Sequence, residues 1–583
     1  MAVENLITEH IDIWTSAVKT KSTSGRGSSK KLELYGVKKL RELILELAVR
    51  GKLVPQDPND EPASVLLERI AQEKAQLVKE KKLKKPKTLP NISDEEKPFD
   101  LPNGWSWIRL NEYGEWGSGS TPKRSNSGYY DGGIPWFKSG ELKADYISES
   151  EETITELALS ETSVRYNNVG DVLVAMYGAT IGKTAILSVR ATTNQAVCAC
   201  SPFTGLSNTY LLTLLKAYKA RLIGMGAGGA QPNISREKII NTVIALPSTA
   251  EQHRIVTKVD ELMALCDQLE QQTETSIEAH QVLVTTLLDT LTNSADADEL
   301  MQNWARISEH FDTLFTTEES IDQLKQTILQ LAVMGKLVPQ DPNDEPASEL
   351  LKRIAEEKAQ LVKEKKIKKQ KALPPISEDE KPFELPSGWG FAHMQDLCEL
   401  ITDGTHQTPK YTDTGRPFIS AQCVKPFRFM PENCRYVSEE HYQAYIKNRN
   451  PEFRDILLSR VGAGIGEAAM IDTDLEFAIY VSTGLLKPHK SSVMSEYLVL
   501  WLNSPLGRGF SERNTLGKGV SQGNLNLSLI RAFTVSLPPL QEQKRIIEQV
   551  NKLSDLCDLL KERLQSVQLT QLSLTDVIAE QVV

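Results

Sequence analysis

GKLVPQDPNDEPAS at residues 51–64 recurs, letter for letter, at residues 335–348. The match extends in both directions at a constant offset of 284. Val37–Trp105 aligns with Ile321–Trp389, with about 50 identities in 69 positions. A second, weaker repeat follows: LPSTAEQHRIVTKVDELMALCDQL (Leu246–Leu269) aligns with LPPLQEQKRIIEQVNKLSDLCDLL (Leu537–Leu560) at an offset of 291. The 7-residue growth in offset falls in the intervening sequence, where similarity also drops. The order is therefore A–x–B–A′–x′–B′, and x (about 101–247) and x′ (about 385–538) are diverged versions of one domain. Two copies are too few for a solenoid and point to internal pseudo-two-fold symmetry.

Segment A reads as two helices joined by a turn. Leu40, Ile44, Leu47 and Ala48 fall on one helical face. Gly51 stops that helix, and Pro55, Pro58 and Pro62 keep the next stretch non-helical. Ser64 is placed to cap a second helix, with Leu67, Ile70, Lys74 and Leu77 down one side. The run Lys79–Lys87 ends it, either as a solvated helix end or as a phosphate-contacting patch. Segment B reads as one helix over about 251–291, about 60 Å long. Its apolar stripe is Ile255, Val259, Leu262, Leu265, Cys266 and Leu269; the second copy has Ile546, Val550, Leu553, Leu556, Cys557 and Leu560. Cysteine at the same place in both copies reads as core rather than chemistry. Two such stripes can pack as an antiparallel, coiled-coil-like pair and act as a rigid spacer.

The x segments look mixed, with β dominant. Val169–Leu187 reads as strand, glycine turn, strand. Ile134–Leu142 and Pro417–Lys425 are short strands leading to polar loops, and Ala227–Ile239 and Gly517–Ile530 are glycine-rich loops carrying Gln and Asn. The fold class expected is α+β: two β-rich domains separated by long helices. The boundaries are an N-terminal extension over 1–36, helical repeat A over 37–100, a first variable domain over 101–247 and spacer helix B over 248–295. A linker with repeat A′ follows over 296–384, then a second variable domain over 385–538 and helix B′ over 539–583.

Composition bounds the function. The chain has 583 residues, 40% hydrophobic and 25% charged, as in a multidomain globular protein. No run approaches 18 apolar residues, and Met1–His10 carries Glu4 and Glu9 rather than a basic-then-apolar leader. Seven cysteines without a CxxC pair argue against a disulfide framework or a structural zinc site. A soluble, cytoplasmic protein with no membrane association is expected. The net charge of −10 argues mildly against nucleic-acid binding. That charge lies outside the variable domains: Leu101–Pro247 has 13 Lys and Arg against 12 Asp and Glu, and Leu385–Pro538 has 15 of each.

Motifs that resemble catalytic ones fail on inspection. GATIGKT (Gly178–Thr184) has three residues between its glycines where a phosphate loop needs four, and its counterpart carries Glu467 in place of the lysine. GAGIGE (Gly462–Glu467) is followed too soon by Asp472 for a dinucleotide-binding unit, so a hairpin is the better reading. Asp131, Glu141 and Lys143 have loose nuclease-like spacing, but Cys423 and Lys425 take the last two places in x′. The eight histidines form no metal-ligand cluster, and no Asn-Pro-Pro-Tyr or Asp-Pro-Pro-Tyr methyltransferase motif occurs.

Taken in order and twice over, several segments resemble the specificity subunit of type I restriction–modification systems, in the subgroup with an extended helical N-terminal region. They are LAVRGKLVPQ (Leu47–Gln56) with LAVMGKLVPQ (Leu331–Gln340), LPNGW and LPSGW (Leu101–Trp105, Leu385–Trp389), and IPW (Ile134–Trp136). GDVLVAMYGATIGK (Gly170–Lys183), DGTHQTPKY (Asp403–Tyr411), AQPNIS (Ala230–Ser235) and the two LPxxxEQxRI segments complete the set. The resemblance covers nearly the whole chain. It implies that each variable domain is a target recognition domain reading one half of a split, asymmetric sequence in double-stranded DNA, with the helices setting the gap. It implies two methyltransferase (modification) subunits and two motor–nuclease (restriction) subunits as partners. This chain would have no catalysis and bind no cofactor; S-adenosylmethionine, ATP and Mg would belong to those partners. With nearly neutral recognition domains, weak DNA binding by the isolated chain is expected, the partners supplying much of the phosphate contact.

Base reading needs polar side chains on loops: Arg and Lys suit guanine, Asn and Gln suit adenine. By chemistry and loop position the first-domain candidates are Thr121, Lys123, Arg124, Lys138, Tyr177, Thr180, Lys183, Gln231 and Asn233. Those of the second are Thr405, His406, Gln407, Lys410, Gln422, Lys425, Arg428, Gln522 and Asn524. Two other classes stay open on the residues alone: a helical scaffold whose variable domains bind protein, and a self-contained DNA-modifying enzyme.

Overall fold

The structure, a computed structural model, describes residues 3–22, 30–81, 89–226, 232–295, 297–407, 409–447, 449–516 and 523–582. The chain divides into two compact units, Met1–Ser276 with Val567–Val583, and Ile277–Ser566. Both are built from the same parts.

In the first unit the helix Tyr35–Val49 buries Leu40, Ile44, Leu47 and Ala48. Gly51 ends it at φ +68°, where any Cβ would strike Pro102 and Trp105, so glycine is required twice over. The next helix, Ala63–Lys79, buries Ala63, Leu66 and Ile70. It is not capped by Ser64, as the sequence suggests. Pro62 is the cap residue, and the Ala63 N–H donates to the Gly104 carbonyl at 2.8 Å. The LPNGW turn thus satisfies an N–H that the helix itself cannot. The second unit repeats this with the helix Ala347–Lys363, Pro346 and a 2.8 Å bond from Ala347 N to Gly388 O.

The two long helices are Thr249–Asn293, of 45 residues, and Leu540–Val582, of 43. Ile255, Val259, Leu262 and Cys266 are buried, as are Ile546, Val550 and Cys557. Leu265 and Leu556 are exposed instead, because a 3.6-residue period that buries 262 and 266 turns 265 away from the core. The start of each long helix clamps the rest of its unit. Glu251 accepts from Gln56 Nε2 at 3.0 Å and Trp105 Nε1 at 2.9 Å, and Arg254 pairs with Asp60 at 2.7 Å. Gln252, fully buried, accepts from the Ser207 backbone N–H at 3.0 Å and donates to the Pro247 carbonyl at 3.1 Å. In the second unit Gln340 bonds Glu542 at 3.2 Å, Arg545 pairs with Asp344 at 2.6 Å, and Gln543 accepts from the Met494 N–H at 2.9 Å. Burial pushes the Glu251 and Glu542 carboxyls upward, against the hydrogen bonds they accept.

The N-terminal extension proves to be repeated as well. ITEHIDIW (Ile7–Trp14) aligns with ISEHFDTL (Ile307–Leu314) at an offset of 300. In both, the histidine carbonyl accepts the N–H groups three and four residues on, His10 from Ile13 and Trp14, His310 from Thr313 and Leu314. Trp14 and Leu314 are both buried. The offset exceeds 284 because the hairpin of Lys19–Ser22 and Lys30–Glu33 is present in the first copy alone.

Each variable domain is β-rich. In the first, one sheet runs Gly114–Ser118, Val197–Pro202, Val172–Ala175, Thr184–Leu187, Tyr146–Ile147, and a smaller one runs Thr192–Thr193, Tyr130–Phe137, Thr153–Ile154. In the second, Cys398–Asp403, Thr483–Pro488, Ile456–Ser459 and Ala468–Met470 form the first sheet. Tyr411–Thr412, Arg435–Val437, Arg416–Ile419 and Ala478–Ile479 form the other. A two-stranded antiparallel sheet of its first and last strands closes each domain, pairing Ser106–Arg109 with Val243–Leu246 and Gly390–His393 with Thr534–Leu537. The GATIGKT stretch is the hairpin turn expected, between Val172–Ala175 and Thr184–Leu187.

The helix Ala63–Lys79 docks on its domain through Glu73, which accepts from Thr204, and Lys74, which lies 4.6 Å from the Phe203 ring. In the second unit Glu357 accepts from Ser491 at 2.9 Å, and His489 takes the place of Phe203. His489 is fully buried with neither ring nitrogen hydrogen-bonded, its Nδ1 3.8 Å from Glu357 and 4.0 Å from Glu399. Burial lowers it to about 4, Glu357 opposing and Lys358 assisting. The folded state therefore holds fewer protons than the unfolded one between an ordinary histidine value and pH 4, and stability falls as pH drops through that window. We expect His489→Phe to abolish up to about 3 kcal/mol of this pH dependence. Urea unfolding at pH 7 and pH 4.5 measures it; equal slopes for variant and wild type would contradict the assignment.

Candidate nucleic-acid interface

The chosen loop residues follow the ends of particular strands, and the backbone ties some of them together. Tyr177 and Asn233 form a β-bridge, with Gly178 N–H to Pro232 O at 2.8 Å and Ile234 N–H to Met176 O at 2.9 Å. Val461 and Asn524 form the same bridge in the second domain. Tyr177, Asn233 and Asn524 are exposed. Thr180 turns its hydroxyl back to the Tyr177 carbonyl at 2.6 Å, closing the turn. Gln231 and Gln522 lie outside the described residues.

In the first domain Thr121 bonds Gln195, and Lys123 is exposed. Lys183 is half-buried, and neither lysine has an ion pair or side-chain hydrogen bond among the described residues. Arg124 and Lys138 converge: both reach Glu152, at 2.5 and 3.0 Å, and Lys138 also reaches Glu151 at 3.1 Å. Arg124, with Lys138 adding to it, holds the Glu152 carboxyl below the usual range. The Arg124 guanidinium lies 4.6 Å from the Tyr130 ring and 5.1 Å from Trp136, and those rings meet edge to face at 6.1 Å. Glu141 serves the backbone instead, accepting from the N–H groups of Lys138 and Glu151, both at 2.6 Å. Among the described residues no group of three or more His, Cys, Asp or Glu is placed to hold a metal.

In the second domain Thr405 is buried and its hydroxyl accepts from the Gln407 N–H at 3.2 Å, so it shapes the loop. His406 and Gln407 are exposed, and His406 approaches Asp403 at 3.3 Å. Lys425 lies 3.6 Å from Glu467. Lys410 and Arg428 are exposed, without an ion pair among the described residues. Gln422 donates to the Asn433 carbonyl at 2.8 Å and borders a cavity of about 270 Å³. Tyr411, Phe418, Ser420, Arg435 and Tyr480 also line it. Arg435 lies 4.6 Å over the Tyr411 ring, and Tyr411 meets Phe418 at 6.2 Å.

Sequence reasoning missed Glu152, Arg435, Tyr411 and the buried pair Asp403–Arg460. That pair lies beneath the second-domain loops. Arg460 also donates to the carbonyls of Leu525, at 2.9 Å, and Val481, at 3.0 Å, tying three segments to Asp403. By strand register, Ser118 and Met176 occupy these places in the first domain. DGTHQTPKY contains both Asp403 and Tyr411, so a signal was present; their use depends on a strand pairing that spacing does not reveal.

The family model described as type I restriction modification DNA specificity domain matches residues 102–279 and again 386–569. The chain is 42% identical to the type I restriction enzyme EcoEI specificity subunit of Escherichia coli, over 100% of this chain and 99% of that one. It is 43% identical to the EcoAI specificity subunit of the same organism, with the same coverage. A chain of a solved structure of a type I R-M system is similar at 18% identity and a TM-score of 0.47, over 83% of this chain and 99% of that one.

Removing one partner of a buried ion pair strands the other. Arg460→Met should destabilise the chain by about 3–5 kcal/mol in urea unfolding. Asp403→Ser with Arg460→Met, the pair found in the first domain, should recover most of that. A double variant no more stable than the single one would show that the pair is not what organises these loops.

Proposed function

The chain belongs to the specificity subunits of type I restriction–modification systems, and from that premise we propose that each recognition domain reads one half of a split, asymmetric DNA site. It is the DNA-recognition component of such a system and not its catalyst; methylation and restriction are performed by partner subunits. The observation that carries the split-site reading is the pairing of two domains of like strand order with unlike loop chemistry: Arg124, Glu152 and Lys138 in one, Tyr411, Arg435 and Gln422 in the other. Unlike readers call for unlike half-sites. The long helices set the gap between them. A site of three or four specified pairs, a gap of about six to eight, then four or five more places both halves near one helical turn apart.

Two modification subunits dock on the long helices, and two motor–nuclease subunits join to form the restriction complex. Exposed leucines at equivalent places in both copies support a two-fold stoichiometry: Leu265 and Leu556 are 40% and 50% exposed, Leu283 and Leu574 49% and 44%. Isolated exposed leucines are ordinary, but the same two in each repeat suit two identical partners. S-adenosylmethionine, ATP and Mg belong to those partners. Among the described residues no helix is long and apolar enough to cross a membrane, and the proposed place of action is the cytoplasm, with its DNA.

Mapping N6-methyladenine in cells with and without this gene should show one split, asymmetric motif that depends on it. Exchanging residues 386–538 for another recognition domain should change one half of that motif and leave the other intact; a continuous palindrome would refute the split-site reading. For the partners, Leu265→Glu or Leu556→Glu alone should each cost one modification subunit by mass measurement of the purified complex, and both together should cost two. Retention of both by the double variant would place the docking surface elsewhere.

A further inference from the structure

Both recognition domains carry an arginine guanidinium against an edge-packed aromatic pair, and they deliver it from different parts of the chain. In the first domain it is Arg124, from the loop that follows Gly114–Ser118, 4.6 Å from Tyr130. In the second, aligning the two TPK triplets puts Tyr411 at the Arg124 position. The arginine there is Arg435, from a strand, 4.6 Å over Tyr411. The floor is conserved in geometry: Tyr130 with Trp136 at 6.1 Å and 76°, Tyr411 with Phe418 at 6.2 Å and 63°. Trp136 and Phe418 are equivalent in their strands, each following the proline that pairs with the neighbouring strand. The Trp136 N–H bonds the Glu152 carbonyl, and Phe418 is the register partner of Arg435, so Glu152 and Arg435 share one place. The charge at that place is reversed between the domains, yet a guanidinium reaches the aromatic floor in both.

We propose that Arg124 and Arg435 are the guanine-reading residues of their respective half-sites, each directing its guanidinium fork at O6 and N7 of one guanine in the major groove. The inference rests on the split-site reading and names the contact within it. A ring beneath a guanidinium fixes its plane and leaves the N–H edge free, the condition for a bidentate contact to guanine. The Arg435 side chain has no ion pair or hydrogen bond among the described residues, and it stands at the rim of the cavity beside Gln422. Arg124 engages Glu152 through Nη1 alone, which leaves Nε and Nη2 for a base. A phosphate contact would need neither the fixed plane nor its repetition from a second chain position.

The test is motif mapping of the wild-type chain, Arg124→Gln, Arg435→Gln and the two Arg→Lys variants. Each is co-produced with its modification subunit in a host lacking other adenine methylation. The salt dependence of duplex binding is measured on the purified complexes. The wild type should give a G·C pair in each half-site. Arg124→Gln should abolish the guanine preference of about 5- to 150-fold at that pair, in the first domain's half-site alone, any residual preference passing to adenine. Arg435→Gln should do the same in the other half. The lysine variants keep charge but lose the fork, and they should relax the same positions. Both arginine side chains are exposed, so folding should not intervene, and assembly with the modification subunit checks it. An unaltered motif in the variants would overturn the proposal. So would uniformly weaker binding with a shallower salt slope, rescued by lysine, which marks a phosphate contact. Either result leaves the split-site reading standing; that reading itself falls if the wild type yields no split motif.

Discussion

Each unit depends on a Glu-Gln pair at the start of its long helix. The two side chains leave the helix in different directions and hold different things. Glu251 gathers Gln56 and Trp105 from the repeated segment, while Gln252 reaches into the recognition domain at Ser207 and the Pro247 turn. A buried carboxylate and a buried amide are costly unless hydrogen-bonded, so these few atoms fix the register of three separate pieces of chain. The fourteen-residue identity between positions 51–64 and 335–348 has a physical reason in this clamp. Gln56, Asp60 and the turn between them are read by Glu251 and Arg254, as Gln340 and Asp344 are by Glu542 and Arg545.

The architecture was legible because its evidence is repetition. Letter-for-letter recurrence gave the copies and the shift in offset gave the variable domains, while the stripe Ile255, Val259, Leu262, Cys266 gave the long helix. What escaped was conserved in shape but not in letters. The repeat of Ile7–Trp14 at Ile307–Leu314 is short, identical at four of eight positions, and sits at a displaced offset, because a hairpin separates it from the next repeated helix in one copy. Its common feature is a histidine carbonyl that accepts two N–H groups, which almost any sequence can supply. The capping of Ala63–Lys79 was misassigned for the same reason: the partner is a backbone carbonyl 41 residues away, not the nearby serine.

The interface was half legible. Arg124 and Lys138 could be chosen because they are cations on polar loops beside strands. Glu152 and Arg435 could not, because a short strand makes them neighbours of Trp136 and Phe418, and the pairing is visible only in the folded sheet. Thr405 has the right chemistry for a base reader, yet its hydroxyl is turned inward to hold the Gln407 N–H. Beneath the same loops a buried charged pair, Asp403–Arg460, stands where the first domain has Ser118 and Met176. The domains therefore differ in their loops and also in what braces those loops.

Such divergence is easier where the docking of each domain does not depend on its side chains, and part of the clamp has this property. Gln252 and Gln543 share main-chain contacts to their domains: the N–H of Ser207 or Met494, and the carbonyl of Pro247 or Pro538; Gln252 alone also accepts from the Tyr113 hydroxyl, at 3.3 Å. A serine in one domain and a methionine in the other present the same N–H. The contacts to the repeated segment, by contrast, run through side chains, Gln56 and Asp60 or Gln340 and Asp344, and there the letters cannot vary. Side-chain contacts to the repeated segment, and shared main-chain contacts to the recognition domains, fit a chain whose scaffold is nearly invariant between copies and whose readers are not.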